Sequence, residues 1–133
     1  MTNQRFLVFS GIAPHPPIMV PEVGRESIAD VRASIDAMAE LTRRVVEAGA
    51  ESIILISPHA PLEVDSFVAY EGPKVYGDFS NFRAPGTDFL AIVDDELLRA
   101  ITTAAASENY RVSMLVDDLL DHGTAVPLYF LLR

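Results

Sequence analysis

Cysteine is absent from the chain, which removes disulfide frameworks, thiolate metal sites, iron–sulfur clusters and cysteine nucleophiles together. Any metal must then be held by His, Asp or Glu. Basic residues are scarce: 10 Lys plus Arg stand against 19 Asp plus Glu, giving a net charge of −9 with neutral histidines. Docking on nucleic-acid phosphates or an anionic lipid surface relies on clustered cations, so neither is an expected partner. No apolar run approaches the roughly 20 residues that span a bilayer, and no charged leader precedes an apolar core at the start. A cytoplasmic location is the resulting expectation. The chain is 50% apolar and 22% charged, a balance able to bury one core, and its 133 residues suit one domain.

Arg5 to Ile12 is a short apolar run with β-branched and aromatic residues, bounded by Pro14, Pro16 and Pro17, and reads as a buried strand. From Ser27 to Val46 the residues Ile28, Val31, Ile35, Met38, Leu41 and Val45 recur at three- and four-residue steps, the pattern of an amphipathic helix. Ala48-Gly49 supplies its stop, because glycine readily takes the left-handed conformation at a helix end. Ser52 to Ser57 is nearly continuous aliphatic sequence and reads as a second strand. Strand, helix, strand predicts a right-handed βαβ crossover with parallel strands.

Glu63 to Tyr70 alternates like a more exposed strand. Glu71 to Thr87, broken by Gly72, Pro73, Gly77, Pro85 and Gly86, predicts a long loop with a short strand at Lys74 to Tyr76. Asp94 or Asp95 can cap a helix through Leu97, Leu98, Ile101 and Ala105, and Tyr110 to Val116 alternates again. Asp117 to Thr124 then links to the apolar Ala125 to Arg133, a buried helix with Pro127 in its first turn. That last run ends without a polar tail, as an element interrupted within a fold would.

The three histidines stand at strand-to-loop junctions, in Pro14-His15-Pro16-Pro17, Ser57-Pro58-His59-Ala60-Pro61 and Asp121-His122-Gly123. Neighbouring prolines fix backbone angles and hold an imidazole at a set orientation. In an open α/β sheet the carboxyl ends of the strands form the ligand crevice. One histidine near a turn is ordinarily a surface or hydrogen-bonded residue; three at equivalent edges are a stronger signal. Neutral imidazole suits iron, zinc or copper, and two His plus one carboxylate leave positions open for substrate and dioxygen. A third histidine, with an ordinary pKa near 6.5, can accept and return a proton. Glu22, Asp78 and Asp121 are the candidate carboxylates, each with a structural alternative as a helix-turn, loop or capping residue. Neither nucleotide-binding glycine fingerprint is present, and no Gly-x-Ser-x-Gly elbow surrounds Ser57.

Four segments in order, Gly11-Ile-Ala-Pro-His-Pro-Pro17, Ile56-Ser-Pro-His-Ala-Pro61, Gly77-Asp-Phe-Ser80 and Leu120-Asp-His-Gly-Thr-Ala-Val-Pro-Leu-Tyr-Phe130, resemble the catalytic chains of the class III extradiol ring-cleavage dioxygenases and the related Memo-like proteins. The resemblance implies a three-layer α/β/α fold with a mostly parallel central sheet, of which residues 1–133 would be the N-terminal part, with no second domain. It implies an oxidoreductase that opens a catechol-type ring with O2 on a non-haem Fe(II), zinc or copper being the alternative metals. His15 and His59 would be metal ligands and His122 the acid/base, with a glutamate ligand supplied by the second half of the family domain. Phe79 and Phe82 are candidates to line the substrate pocket or to pack the core. Expected partners are a small aromatic substrate and O2, together with a second copy of the chain or a complementing half. Two other functions stay open: a Memo-like metal-binding or protein-interaction module without oxygenase activity, and a hydrolase using zinc-bound water.

Overall fold

The computed structural model describes residues 7–116 and 119–133. Arg5 and Phe6 of the first apolar run, and Asp117 and Asp118 of the acidic link, lie outside them. After a 3-10 turn at Pro17–Met19 come a short helix α1 (Pro21–Gly24), a 3-10 segment (Arg25–Val31) and the helix α2 (Arg32–Glu47). The expected helix from Ser27 is thus regular only from Arg32, and its first residues wind more tightly where they pack on the Pro17–Met19 turn. Gly24 permits this packing, because a β-carbon there would run into the Ile18 carbonyl. The stop falls where glycine predicts it. Gly49 has φ +72°, its N–H bonds to Val46 O at 2.9 Å, and that of Ala50 bonds to Val45 O at 3.3 Å. These two bonds satisfy carbonyls that the helix end would otherwise leave open.

Downstream lie β1 (Phe67–Glu71), β2 (Lys74–Phe79), β3 (Ala84–Ile92), α3 (Asp95–Ser107), β4 (Val112–Val116) and α4 (His122–Leu131). Strands β1 and β4 pair in parallel, Phe67 opposite Val112 and Glu71 opposite Val116, while β2 and β3 form an antiparallel hairpin. A bridge between Tyr76 and Leu119, with Leu120 N–H donating to Tyr76 O at 2.8 Å, continues the edge of β2 toward α4. The result is a partial α/β fold, with helices set against a small sheet of one parallel and one antiparallel pair.

Three expectations at the level of elements change. Residues 7–12 and 52–57 are extended but belong to no ladder, and they leave Leu7 85%, Ile12 98% and Ile56 91% exposed. A strand exists only through a hydrogen-bonded neighbour, and among the described residues neither run has one. The two runs instead wall an open cleft of about 640 Å³ floored by Leu41 and Val45 of α2, so the crossover they predicted is replaced by the β1–β4 pair. The second change is the long loop, which is the β2–β3 hairpin. Gly77 reads as a breaker, yet it lies within β2 because the Phe89 ring of β3 fills the space a side chain would need. Third, α4 begins at His122, not Ala125, so Pro127 falls inside the helix and has no N–H for the Gly123 carbonyl one turn back.

The core forms where α4 meets the hairpin. Phe79 and Val126 are fully buried and Tyr129 is 4% exposed, with the Phe79 and Tyr129 rings edge to face at 5.8 Å. Residues Gly123 to Tyr129 are all buried, so α4 is covered on every side at the end that carries His122. Among the described residues no helix is long and apolar enough to cross a membrane.

Candidate functional site

Each histidine reaches the site by a different local device. His15 leaves the extended N-terminal segment between prolines, immediately before Pro16 begins the Pro17–Met19 turn. His59 lies in an exposed turn, and its backbone N–H donates to Ser57 Oγ at 3.1 Å. His122 is the first residue of α4, set there by the Asp121 cap, whose carboxylate accepts the Thr124 N–H at 3.0 Å. Only His122 follows a segment joined to the sheet; the other two follow the extended runs.

The three imidazoles converge. One ring nitrogen from each of His15, His59 and His122 falls in a group whose members all lie within 4.8 Å of one another. His15 Nε2 is 3.0 Å from His59 Nε2. The His59 and His122 rings stack at 4.2 Å, and the His15 and His122 centroids are 6.0 Å apart. Two imidazole nitrogens each about 2.1 Å from one ion, at adjacent octahedral positions, stand about 3.0 Å apart, so the donor set fits a shared cation. Without an ion the same contact is one ring's Nε2–H donating to the other's lone pair. Burial holds the His122 pKa below its ordinary value, helped by the neighbouring His59 and His15 imidazoles and opposed by Asp121.

The three candidate carboxylates do not join this group. Glu22 accepts a hydrogen bond from Tyr129 OH at 3.2 Å. Asp78 accepts the Ser80 N–H, a bond that lowers its pKa and shapes the Ser80–Phe82 turn between β2 and β3. Asp121 lies next to His122 but faces Ser57, Thr124 and Tyr70. Burial raises the Asp121 pKa, and the hydrogen bonds from Ser57, Thr124 and Tyr70 outweigh it, so the net shift is downward.

Of the two aromatic candidates, Phe79 is core and Phe82 is at the site. The Phe82 ring stands edge-on to His122, with centroids 5.7 Å apart. Its turn is tied back by Arg25, whose Nη2 donates to Arg83 O at 2.8 Å; Arg25 and Arg83 have φ +47° and +63°. Sequence reasoning passed over Tyr70 and saw Ser57 only as a rejected nucleophile. The one available signal for the pairing was that Ser57 and Asp121 each sit within two residues of a histidine.

Residues 11–133 match the family described as the catalytic LigB subunit of aromatic ring-opening dioxygenase, and the chain belongs to that family. Membership supports, at family level, a fold like that of the aromatic ring-opening dioxygenases. Among curated relatives, the protein CA_C1420 of Clostridium acetobutylicum is 32% identical over 130 residues, covering 90% of this chain. The chain spans only 28% of that relative's length. No solved structure gives a significant match.

Proposed function

We propose that the chain carries the histidine end of a non-haem Fe(II)-dependent extradiol dioxygenase site that opens a catechol-type ring with O2. The observation that carries this reading is the gathering of three ring nitrogens within 4.8 Å from positions far apart in the chain. His15 and His59 hold the metal, since their 3.0 Å separation suits neighbouring positions on one ion. When bound, Fe(II) supplies Lewis-acid binding of the diol oxygens and electron transfer between the aromatic ring and dioxygen. His122 is the acid/base: a depressed pKa leaves its imidazole neutral near pH 7, ready to take a phenolic proton and later return it. Phe82 offers an aromatic wall beside His122 for the substrate ring.

A two-His, one-carboxylate set needs a carboxylate that none of the gathered residues provides. The proposal takes residues 1–133 as the N-terminal part of the catalytic domain and assigns that ligand to polypeptide beyond this sequence. The test is anaerobic Fe(II) reconstitution followed by oxygen uptake on a panel of catechols, with the chain alone and within the longer protein. Uptake that is lost in His122→Ala, with iron retained, supports the assignment. No uptake in either form defeats it. Three imidazoles also suit Zn(II), and tightly held zinc with ester or amide cleavage would move the reading to a hydrolase.

A further inference from the structure

We propose that Asp121 is a positioning residue: through Ser57 and the cap of α4, its carboxylate sets the distance and tilt between the His59 and His122 imidazoles. The inference deepens the reading of His59 as ligand and His122 as acid/base, and rests on it for its purpose.

A carboxylate has about four lone-pair directions, and here four donors occupy them. Oδ1 accepts from Ser57 Oγ and from Thr124 N–H at 3.0 Å, while Oδ2 accepts from Thr124 Oγ1 at 2.8 Å and Tyr70 OH at 3.1 Å. No direction is left for an ion, so Asp121 is not placed as a ligand and shapes the site through what it holds. A helix cap requires only the Thr124 bonds. The other two reach out to separate segments, Tyr70 on β1 and Ser57 in the turn that carries His59.

The Ser57 bond matters because residues 52–60 have no sheet ladder to fix them. Ser57 Oγ accepts the His59 N–H at 3.1 Å and donates its own proton to Asp121, so one hydroxyl joins the backbone of His59 to the cap of the helix that begins at His122. Gly123 gives independent support. A β-carbon built there would stand 2.9 Å from His59 Cδ2 and 3.0 Å from Asp121 Oδ1, and closer still to Ser57 Oγ. The His59 turn therefore docks against a helix turn with no side chain, and the two rings meet in a stack at 4.2 Å with an interplanar angle of 29°.

The experiment uses the 133-residue chain with Ser57→Ala, Ser57→Thr and Asp121→Asn, and Asp94→Ala as a control that removes the α3 cap and the bond from Ser52 Oγ at the start of the His59 segment but leaves the Ser57–Asp121 bond in place. Imidazole proton NMR of the metal-free protein reads the stack directly through cross-peaks between the His59 and His122 rings. Ser57→Ala and Asp121→Asn should lose those cross-peaks. Ser57→Thr, which keeps the hydroxyl, should retain them, as should Asp94→Ala despite a lower melting temperature. Retained cross-peaks in Ser57→Ala overturn the proposal, and this variant removes a single hydroxyl, so it decides the matter even if Asp121→Asn does not fold. Co(II) titration is the second readout, with affinity expected to fall about 10- to 100-fold in Ser57→Ala. Unchanged Co(II) affinity after loss of the stack overturns the claim that the spacing serves the metal. A wild-type chain that takes up no Co(II) counts against the metal reading, while the cross-peaks still decide whether Asp121 sets the ring geometry.

Discussion

Phe79 and Phe82 are three residues apart, and the structure gives them opposite tasks, which a paired substitution separates. Phe79 is fully buried and edge to face with Tyr129 at 5.8 Å. Phe79→Ala removes a core ring and leaves a cavity, a change that costs about 3–5 kcal/mol. That is more than half the stability of a domain at the lower end of the usual range of about 5–15 kcal/mol. An unfolding entropy of about 2.1 cal/mol/K per residue converts the loss into a melting-temperature drop of roughly 10–18 °C. Phe82 is half-buried and has its edge contact with His122. Phe82→Ala should cost about half as much or less, lowering the midpoint by no more than roughly 9 °C. It should nevertheless shift the His122 ring protons and weaken binding of an aromatic ligand. Thermal melts followed by circular dichroism, paired with histidine NMR, test the contrast. Equal midpoint drops in the two variants, or an unmoved His122 signal in Phe82→Ala, would refute the division between core and site.

His15→Ala and His59→Ala should each weaken Fe(II) or Co(II) binding by at least tenfold in a calorimetric titration, whereas His122→Ala should spare it and abolish turnover; equal affinity in all three defeats the assignment of roles. Gly123→Ala should lower stability by about 1–3 kcal/mol through overpacking and separate the His59 and His122 rings, read by denaturant melts and by NMR. Gly49→Ala places a β-carbon in a left-handed position and should cost about 1 kcal/mol in urea unfolding, with metal affinity unchanged. Asp94→Ala removes the side chain that accepts the Leu97 N–H at 2.9 Å and the Ser52 hydroxyl proton, and should cost at least about 1 kcal/mol by the same assay.

The parts of the fold that were legible in the sequence are those governed by neighbours along the chain. The Ile35, Met38, Leu41 and Val45 stripe gave α2, Gly49 its end, and Asp94 the start of α3, because each depends on a few bonds within one or two turns. The alternation before Tyr70 and Val116 gave β1 and β4, but nothing in either segment says that they pair with each other. Residues 7–12 and 52–57 have the composition of covered strands, and composition cannot supply the neighbour that makes a strand. The β2–β3 hairpin was hidden by Gly77 and Gly86, where the decisive fact about Gly77 is the Phe89 ring across the ladder. At the site, flanking prolines and the order of four segments singled out the three histidines. The bonds from Ser57 and Tyr70 to Asp121 span 64 and 51 residues, and only three-dimensional packing reveals them.

The clasp behind Phe82 divides its work unequally between two arginines. Arg25 contributes a guanidinium N–H, but Arg83 contributes only its main-chain oxygen. Position 83, at φ +63°, is therefore open to replacement by glycine, which suits that backbone geometry and leaves the tether intact. Position 25 has no such latitude: shortening its side chain unhooks the aromatic wall from the N-terminal helices while every histidine stays in the sequence. A screen for sturdier variants can start at the first and should leave the second alone.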